Sequence, residues 1–241
     1  MAGTAEQRRA LVLGGTGAVG SAVLKELARR DVPAVFTYFR SEEKAQDLTR
    51  SLGQTGIQVN LADAGATRAF LDKLGAEGPL PDVLIHCAGV AAPLALGEIG
   101  EGAWQETIAV NAHAAFLACQ WLALAEKRRG DIDVVLVSAL DRTQSLPLPV
   151  HFAVSQGMLS SMVMAIAHEL GPRGVRINAV ALGILSHGLS QRLMEQRRKD
   201  YEKFSALRRV GTPDEAARTI AWLALENTYI QGKVVSVNGG I

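Results

Sequence analysis

The stretch Leu13-Gly14-Gly15-Thr16-Gly17-Ala18-Val19-Gly20 decides how this chain folds. It follows a short apolar run, Ala10-Leu11-Val12-Leu13. It opens onto residues 21–30, where Val23, Leu24, Leu27 and Ala28 recur at helical spacing opposite Lys25, Glu26, Arg29 and Arg30. Strand, glycine turn and helix in that order make a phosphate cradle. Glycines let the backbone turn tightly and let a pyrophosphate approach it, while the helix N-terminus offers unpaired N–H groups and a partial positive charge. Gly15-x-Gly17-x-x-Gly20 fits the dinucleotide pattern, and Gly14-x-x-Gly17-x-x-Gly20 fits it equally well. Gly14, Thr16, Gly17, Val19 and Gly20 are therefore the expected cradle contacts.

The rest of the chain continues the alternation. Apolar runs at 10–13, 34–37, 57–61, 83–86, 134–137, 177–181 and 234–237 are four or five residues long and rich in Val, Ile and Leu. Such runs suit strands buried on both faces of a parallel sheet, and helical segments separate them. The pattern predicts an α/β, single-domain Rossmann fold over residues 1–241, a doubly wound seven-stranded parallel sheet. The largest irregular insertion, at about 186–209, contains the polar stretch 191–202 and reads either as a lid or as a solvated surface helix. Residues 157–170 are apolar nearly all round, which predicts a helix buried on both sides.

Composition removes other classes. At 241 residues and 48% hydrophobic, the chain can fill one sizeable core. Its 25 Lys+Arg balance 24 Asp+Glu, so no nucleic-acid partner is expected. Two cysteines, Cys87 and Cys119, make neither a disulfide scaffold nor a cysteine zinc site, and five histidines without close ligand spacing predict no metal. No run reaches the roughly 18 apolar residues of a membrane span, and MAGTAEQRR leads into a strand rather than a secretory leader. A soluble, cytoplasmic protein that does not engage a membrane is the expectation.

The second strand ends at Thr37-Tyr38-Phe39-Arg40. An acid near here would bind a ribose 2′-OH, whereas an arginine suits a 2′-phosphate. Arg40 therefore favours NADP over NAD, the other reading being a solvated loop arginine.

Four further segments carry a family likeness. They are Asp82-Val83-Leu84-Ile85-His86-Cys87-Ala88-Gly89, residues 104–116 around Asn111, Arg176-Ile177-Asn178-Ala179-Val180-Ala181, and a C-terminal segment. The last runs from Gly211-Thr212-Pro213-Asp214-Glu215 to Val237-Asn238-Gly239-Gly240. With them, the chain resembles the short-chain dehydrogenase/reductase family over about residues 9–240, especially its β-ketoacyl-carrier-protein reductase branch. The resemblance places Asn111 at the family's catalytic Asn. It puts Cys87, Ala88 and Gly89 along the cofactor, with Cys87 in place of an Asn. Asn60 and Leu61 fall on the adenosine side, where the family has Asp-Val.

The family's redox centre combines a Ser with a Tyr and a Lys four residues apart on one helix. The Tyr hydroxyl exchanges the proton as hydride moves, the Lys lowers its pKa and holds the ribose, and the Ser orients the substrate oxygen. The spacing of four puts Tyr and Lys on one face. Here the segment reads His151-Phe152-Ala153-Val154-Ser155-Gln156-Gly157-Met158. Phe152 stands at the Tyr position and Gln156 at the Lys position. The Ser position falls on Ala139, with Ser138 one residue earlier. A register that puts His151 at the Tyr site recovers Ser138 but leaves Ser155 in place of Lys. Residues 128–198 contain neither Tyr nor Lys, so no local register restores the pair.

Around the nicotinamide, Leu182-Gly183 replaces the family's Pro-Gly, and His187 aligns with its Thr. The polar candidates for the altered centre are Asn111, Ser138, Asp141, Gln144, His151, Gln156 and His187. His151 and His187 are a candidate proton-transfer pair, set against plain hydrogen-bonded loop residues. His86 and His113 are expected to pack in a strand end and a helix, His168 to sit on a helix surface, and Cys87 to be a small buried side chain.

Three functional readings follow. One is a non-redox enzyme, of dehydratase, isomerase or cyclase type, on an acyl or polyketide-like substrate. Another is a catalytically inactive binding subunit partnering an active relative. The third is an atypical NADPH-dependent 3-oxoacyl-type reductase. NADP(H) is the expected cofactor, used or vestigial. The substrate is expected to be a small-molecule or carrier-protein-bound acyl group. The resemblance implies a homodimer or homotetramer, or a hetero-oligomer with an active relative.

Overall fold

In a computed structural model, the described residues are 7–125, 131–139, 148–192 and 195–241. Seven parallel strands form one sheet: β1 (Ala10–Leu13), β2 (Ala34–Tyr38), β3 (Thr55–Gln58), β4 (Val83–His86), β5 (Ile132–Ser138), β6 (Val175–Leu182) and β7 (Val234–Val237). Their order is β3-β2-β1-β4-β5-β6-β7. The chain winds outward from β1 on one side and from β4 on the other. The winding therefore reverses between them, and a crevice opens beyond their carboxyl ends, where open α/β sheets bind ligands.

The helices are α1 (Ala18–Arg29), α2 (Glu42–Leu52), α3 (Ala64–Glu77), α4 (Glu101–Ile108), α5 (Ala114–Leu124), α6 (Val150–Leu170), α7 (Glu195–Phe204) and α8 (Pro213–Leu225). Alternate strand residues face opposite cores. Leu11 and Leu13 of β1 pack with α3, α5 and α6, through residues such as Phe70, Leu122 and Leu159. Ala10 and Val12 pack with α1, α2 and α8, through Leu24, Leu48 and Ile220. At the amino ends of the strands, Asp133 on β5 is buried and held by Arg8 at 2.7 Å and by Arg176 at 2.7 and 2.9 Å.

Several expectations shift. The third strand stops at Gln58 rather than running to residue 61. Val59 still donates its N–H to the Tyr38 carbonyl at 2.8 Å, but the chain then leaves the sheet edge while Leu61 stays in the core. The helix expected across 104–116 is broken by a π turn at Ala109–His113. The helix expected from 157 begins at Val150, so His151, Phe152 and Gln156 all lie on it. It is buried on one side only, since Val150, Val154, Met158 and Met164 are exposed. His113 lies exposed beside Phe116 rather than packed. Helical stretches 101–124 and 150–173 are each long and apolar enough to cross a membrane, contrary to the expectation of no such run. Both are packed on the sheet, donating Leu117, Leu122, Leu159 and Val163 to its core.

Candidate functional site

The cradle sits in the crevice between β1 and β4. Gly14 has φ +84°, and a Cβ on it would lie 2.5 Å from the Ala88 Cα, so the two loops touch backbone to backbone. A Cβ on Gly15 would meet the Phe36 ring at 2.6 Å, and one on Gly20 would fall 2.2 Å from the Gly14 carbonyl oxygen. These glycines thus allow strand, turn and helix to close on each other. Thr37 braces the turn from β2: its Oγ1 accepts from the Gly14 N–H at 3.0 Å and its carbonyl from the Gly15 N–H at 2.9 Å. Cys87 donates its N–H to the Leu13 carbonyl at 2.8 Å.

Gly17 precedes α1, with no side-chain cap and no acid in the first turn. The first N–H groups of α1 are left to a ligand or water. Thr16 and Val19 are half-buried at the same turn. The donors and close backbone approach fit a dinucleotide's pyrophosphate.

Arg40 lies just beyond β2 with its side chain 80% exposed, 5.4 Å over the Phe39 ring and 3.9 Å from Glu106. It is placed to meet an anion without a buried partner to break. Asn60 accepts from the Ala62 N–H at 3.1 Å, which shapes the turn after β3, and Leu61 is buried below it. Ala88 and Gly89 line the crevice, the latter beside Leu189 and Asn111. Burial pushes the Cys87 thiol up to about 12, so it is an inert packing group.

The second half of the site joins the π turn, β5 and α6. The π turn bulges the helix at Asn111, a geometry that often marks functional sites. Buried Asn111 accepts from the Val90 N–H at 2.8 Å and donates to the Val90 carbonyl at 2.9 Å and to Ser155 Oγ at 3.0 Å. Its own carbonyl lies 3.0 Å from His86 Nε2. Ser155 donates to the Phe152 carbonyl at 2.7 Å. Gln156 donates to Ser155 Oγ at 3.3 Å and accepts from the Ala139 N–H at 3.0 Å. Ser138 Oγ lies 3.5 Å from the Gln156 carbonyl. Asn111, Ser138, Ser155 and Gln156 thus form one buried polar network linking the π turn, β5 and α6.

His151 and His187 are placed very differently. His151 is fully buried, and neither ring nitrogen has a hydrogen-bond partner among the described residues. It stands one helical turn before Ser155, on the same face of α6. His187 is exposed, with Nδ1 2.9 Å from Ser186 Oγ. No hydrogen bond joins the two among the described residues. Asp141 and Gln144 lie outside the described residues. Among those residues no group of three or more His, Cys, Asp or Glu could hold a metal ion.

Thr37, Val90 and Ser155 were not singled out by sequence as site residues. Thr37 and Val90 act through backbone groups, which leave no motif. Ser155 gave one signal, its spacing of four from His151.

A family model described as enoyl-(acyl carrier protein) reductase matches residues 15–241. The chain is 27% identical over 241 residues to the 3-oxoacyl-[acyl-carrier-protein] reductase FabG of Escherichia coli (strain K12), covering 98% of each chain. It is 25% identical over 240 residues to the FabG of Staphylococcus aureus (strain N315), covering 97% of this chain and 98% of that one. Among solved structures, a short-chain dehydrogenase/reductase from Serratia marcescens superposes with TM-score 0.87 at 25% identity over 97% of each chain. A blue fluorescent protein from a metagenomic library, in complex with NADPH, superposes with TM-score 0.88 at 25% identity, also over 97% of each.

Proposed function

The chain belongs to the short-chain dehydrogenase/reductase family, and from that membership we propose that it binds NADP(H) and acts as an atypical reductase of 3-oxoacyl-type thioesters. The observation that carries the reading is the closed cradle, in which Gly14 at φ +84° meets Ala88 below an uncapped α1 N-terminus. NADPH, when bound, supplies the hydride. The backbone N–H groups at the start of α1 would hold the pyrophosphate, and Arg40 would meet the 2′-phosphate. Asn111 fixes the Val90 loop through both backbone groups of Val90 and so sets the wall beside the cradle.

The reading is atypical because no proton donor stands where the family has one. Phe152 has no exchangeable proton, and Gln156 is committed to Ala139 and Ser155. The proton for the substrate oxygen then comes from water or from a ring nitrogen of His151. General acid help is typically worth about 10²–10⁴-fold, so turnover is expected to be slow by that order. Among the described residues, nothing favours a dehydratase, isomerase or cyclase reaction over reduction.

A second reading is a binding subunit without turnover, and the self-satisfied Asn111–Ser155–Gln156 network favours it. Such a network stabilises the scaffold and leaves no side chain poised for chemistry. Both readings include self-association. Val150, Val154 and Met158 form an exposed apolar stripe on α6, and Trp104 and Phe116 are exposed near it on α4 and α5. A second copy of this chain would cover them, as the family resemblance implies.

Titration of NADPH fluorescence, followed by NADPH oxidation with a panel of 3-oxoacyl thioesters, tests the reading. Binding with slow oxidation supports it. Binding without oxidation selects the binding subunit, and no binding overturns both.

A further inference from the structure

After β6, residues 188–189 touch the cradle mouth and residues 195–204 touch the C-terminal turn. Near its start, Gly188 at φ +90° lies so close to α1 that a Cβ there would be 2.9 Å from the Ala18 Cβ. Leu189 Cδ1 lies 3.6 Å from where a Cβ of Gly89 would be. Gly188 and Leu189 thus rest on the two sides of the cradle mouth, the α1 N-terminus and the loop after β4. Ser190 Oγ accepts from the Leu185 N–H at 3.2 Å, which shapes this turn.

At the other end stands Tyr201, on α7. This helix has no buried residue, and its side chains give the sheet no apolar anchor. Tyr201 is half-buried and donates its hydroxyl to the Asn238 carbonyl at 2.5 Å, just past β7. It can do so because residue 183 is glycine: a Cβ there would lie 1.8 Å from Tyr201 Oη. Asn238 is itself fixed, donating to the Ile241 carbonyl at 2.8 Å and accepting from the Gly240 N–H at 3.1 Å. The Leu207 N–H reaches the Gly239 carbonyl at 3.1 Å and closes the same corner. A cavity of about 120 Å³ beside Tyr201, between Leu185, Leu207 and Val237, leaves room for the ring to swing.

We infer that Tyr201 is a positioning residue: seated in the notch at Gly183, it pins α7 to the C-terminal turn and so keeps Gly188 and Leu189 over the nucleotide cradle. The pin is one half-buried side chain on a helix that has no buried residue, so it opens locally at a cost far below global unfolding. Its effect on nucleotide binding rests on the NADP(H) reading above, whereas the pin itself does not.

Hydrogen exchange on the nucleotide-free protein tests the pin directly. Tyr201→Phe is expected to speed amide exchange at residues 195–204 by about five- to tenfold, the worth of one hydrogen bond, and to leave β1 and α1 unchanged. Gly183→Ala is expected to speed it at least as much, because the new methyl evicts the ring. The double variant is expected to match Gly183→Ala alone, since one contact is lost either way. Unchanged exchange at 195–204 in Tyr201→Phe overturns the pin, whether or not Gly183→Ala folds. With NADPH, Tyr201→Phe is expected to speed dissociation by a similar factor. Faster exchange with unaltered dissociation would overturn the guarding of the cradle. A protein that binds no NADPH would refute the proposed function while the exchange result still decides the pin.

Discussion

Gln156 accepts a hydrogen bond from the Ala139 N–H at 3.0 Å, tying the end of β5 to the middle of α6. The side chain that the family resemblance sets at a lysine position is therefore spent on structure. It is buried, it also donates to Ser155, and it closes a network that runs through Asn111 to the Val90 loop. Restoring the family's pair must break that network before it can add chemistry.

Phe152→Tyr with Gln156→Lys is accordingly expected to raise NADPH-dependent reduction of a 3-oxoacyl thioester by about 10²-fold, the low end of general acid help. The same change should lower stability by roughly 1–3 kcal/mol, because the Ala139 N–H loses its acceptor and an ammonium is buried. Steady-state kinetics and thermal melting check the two effects together.

Gly14→Ala places a methyl 2.5 Å from the Ala88 Cα and forces an L residue to φ +84°. The cost expected is about 2 kcal/mol of stability, with NADPH affinity lost because the two loops must part. Urea unfolding and NADPH titration measure these. Gly53→Ala, also at positive φ but with nothing within 4 Å, separates backbone strain from the clash.

Asp133 is 2% exposed and bonded to both Arg8 and Arg176. Asp133→Ala should cost roughly 1–3 kcal/mol, since Arg8 loses its carboxylate and Arg176 keeps only Asp131. Thermal unfolding of this variant is the check, and Arg8→Ala should cost less, because Arg176 still pairs the acid.

Burial lowers the His86 imidazole to about 4, opposed only in part by its bond to the Asn111 carbonyl. The folded value lies below the unfolded one of about 6.5, so the unfolded chain takes up the proton first. Stability is therefore full above about pH 6.5 and falls as pH drops toward 4, by up to about 3 kcal/mol. Denaturant unfolding between pH 4 and 7 checks the slope, and His86→Gln should flatten it.

Val154→Lys on the exposed apolar stripe of α6 is expected to leave the monomer's fold intact and weaken self-association. Light scattering after size exclusion reads the mass. A wild-type chain that is already monomeric would remove this interface.

The fold was legible because it is written locally. Val/Ile/Leu runs such as Ala10–Leu13 and Val83–His86 appear as β1 and β4 with unchanged limits, and the glycines between β1 and α1 close as their spacing requires. Strand three was overextended because Val59 and Leu61 are buried beyond its last register pair, Tyr38 with Gln58. The π turn at Asn111 was not legible, since one inserted residue leaves the apolar pattern of 104–116 nearly unchanged.

By itself, then, the sequence determined the sheet, the cradle and the absence of Tyr and Lys from residues 128–198, since each depends on residue type at short spacing. Only the tertiary structure decided what the remaining polar residues do. It placed His151 in the interior and His187 in solvent, though the family resemblance had set both beside one pocket. It joined Asn111, Ser155 and Gln156 across three elements, and it brought Gly183, Tyr201 and Asn238 together from distant points in the chain. Those relations depend on how elements pack. Burial and hydrogen bonding between positions far apart in the chain set them, and no local pattern encodes that distance.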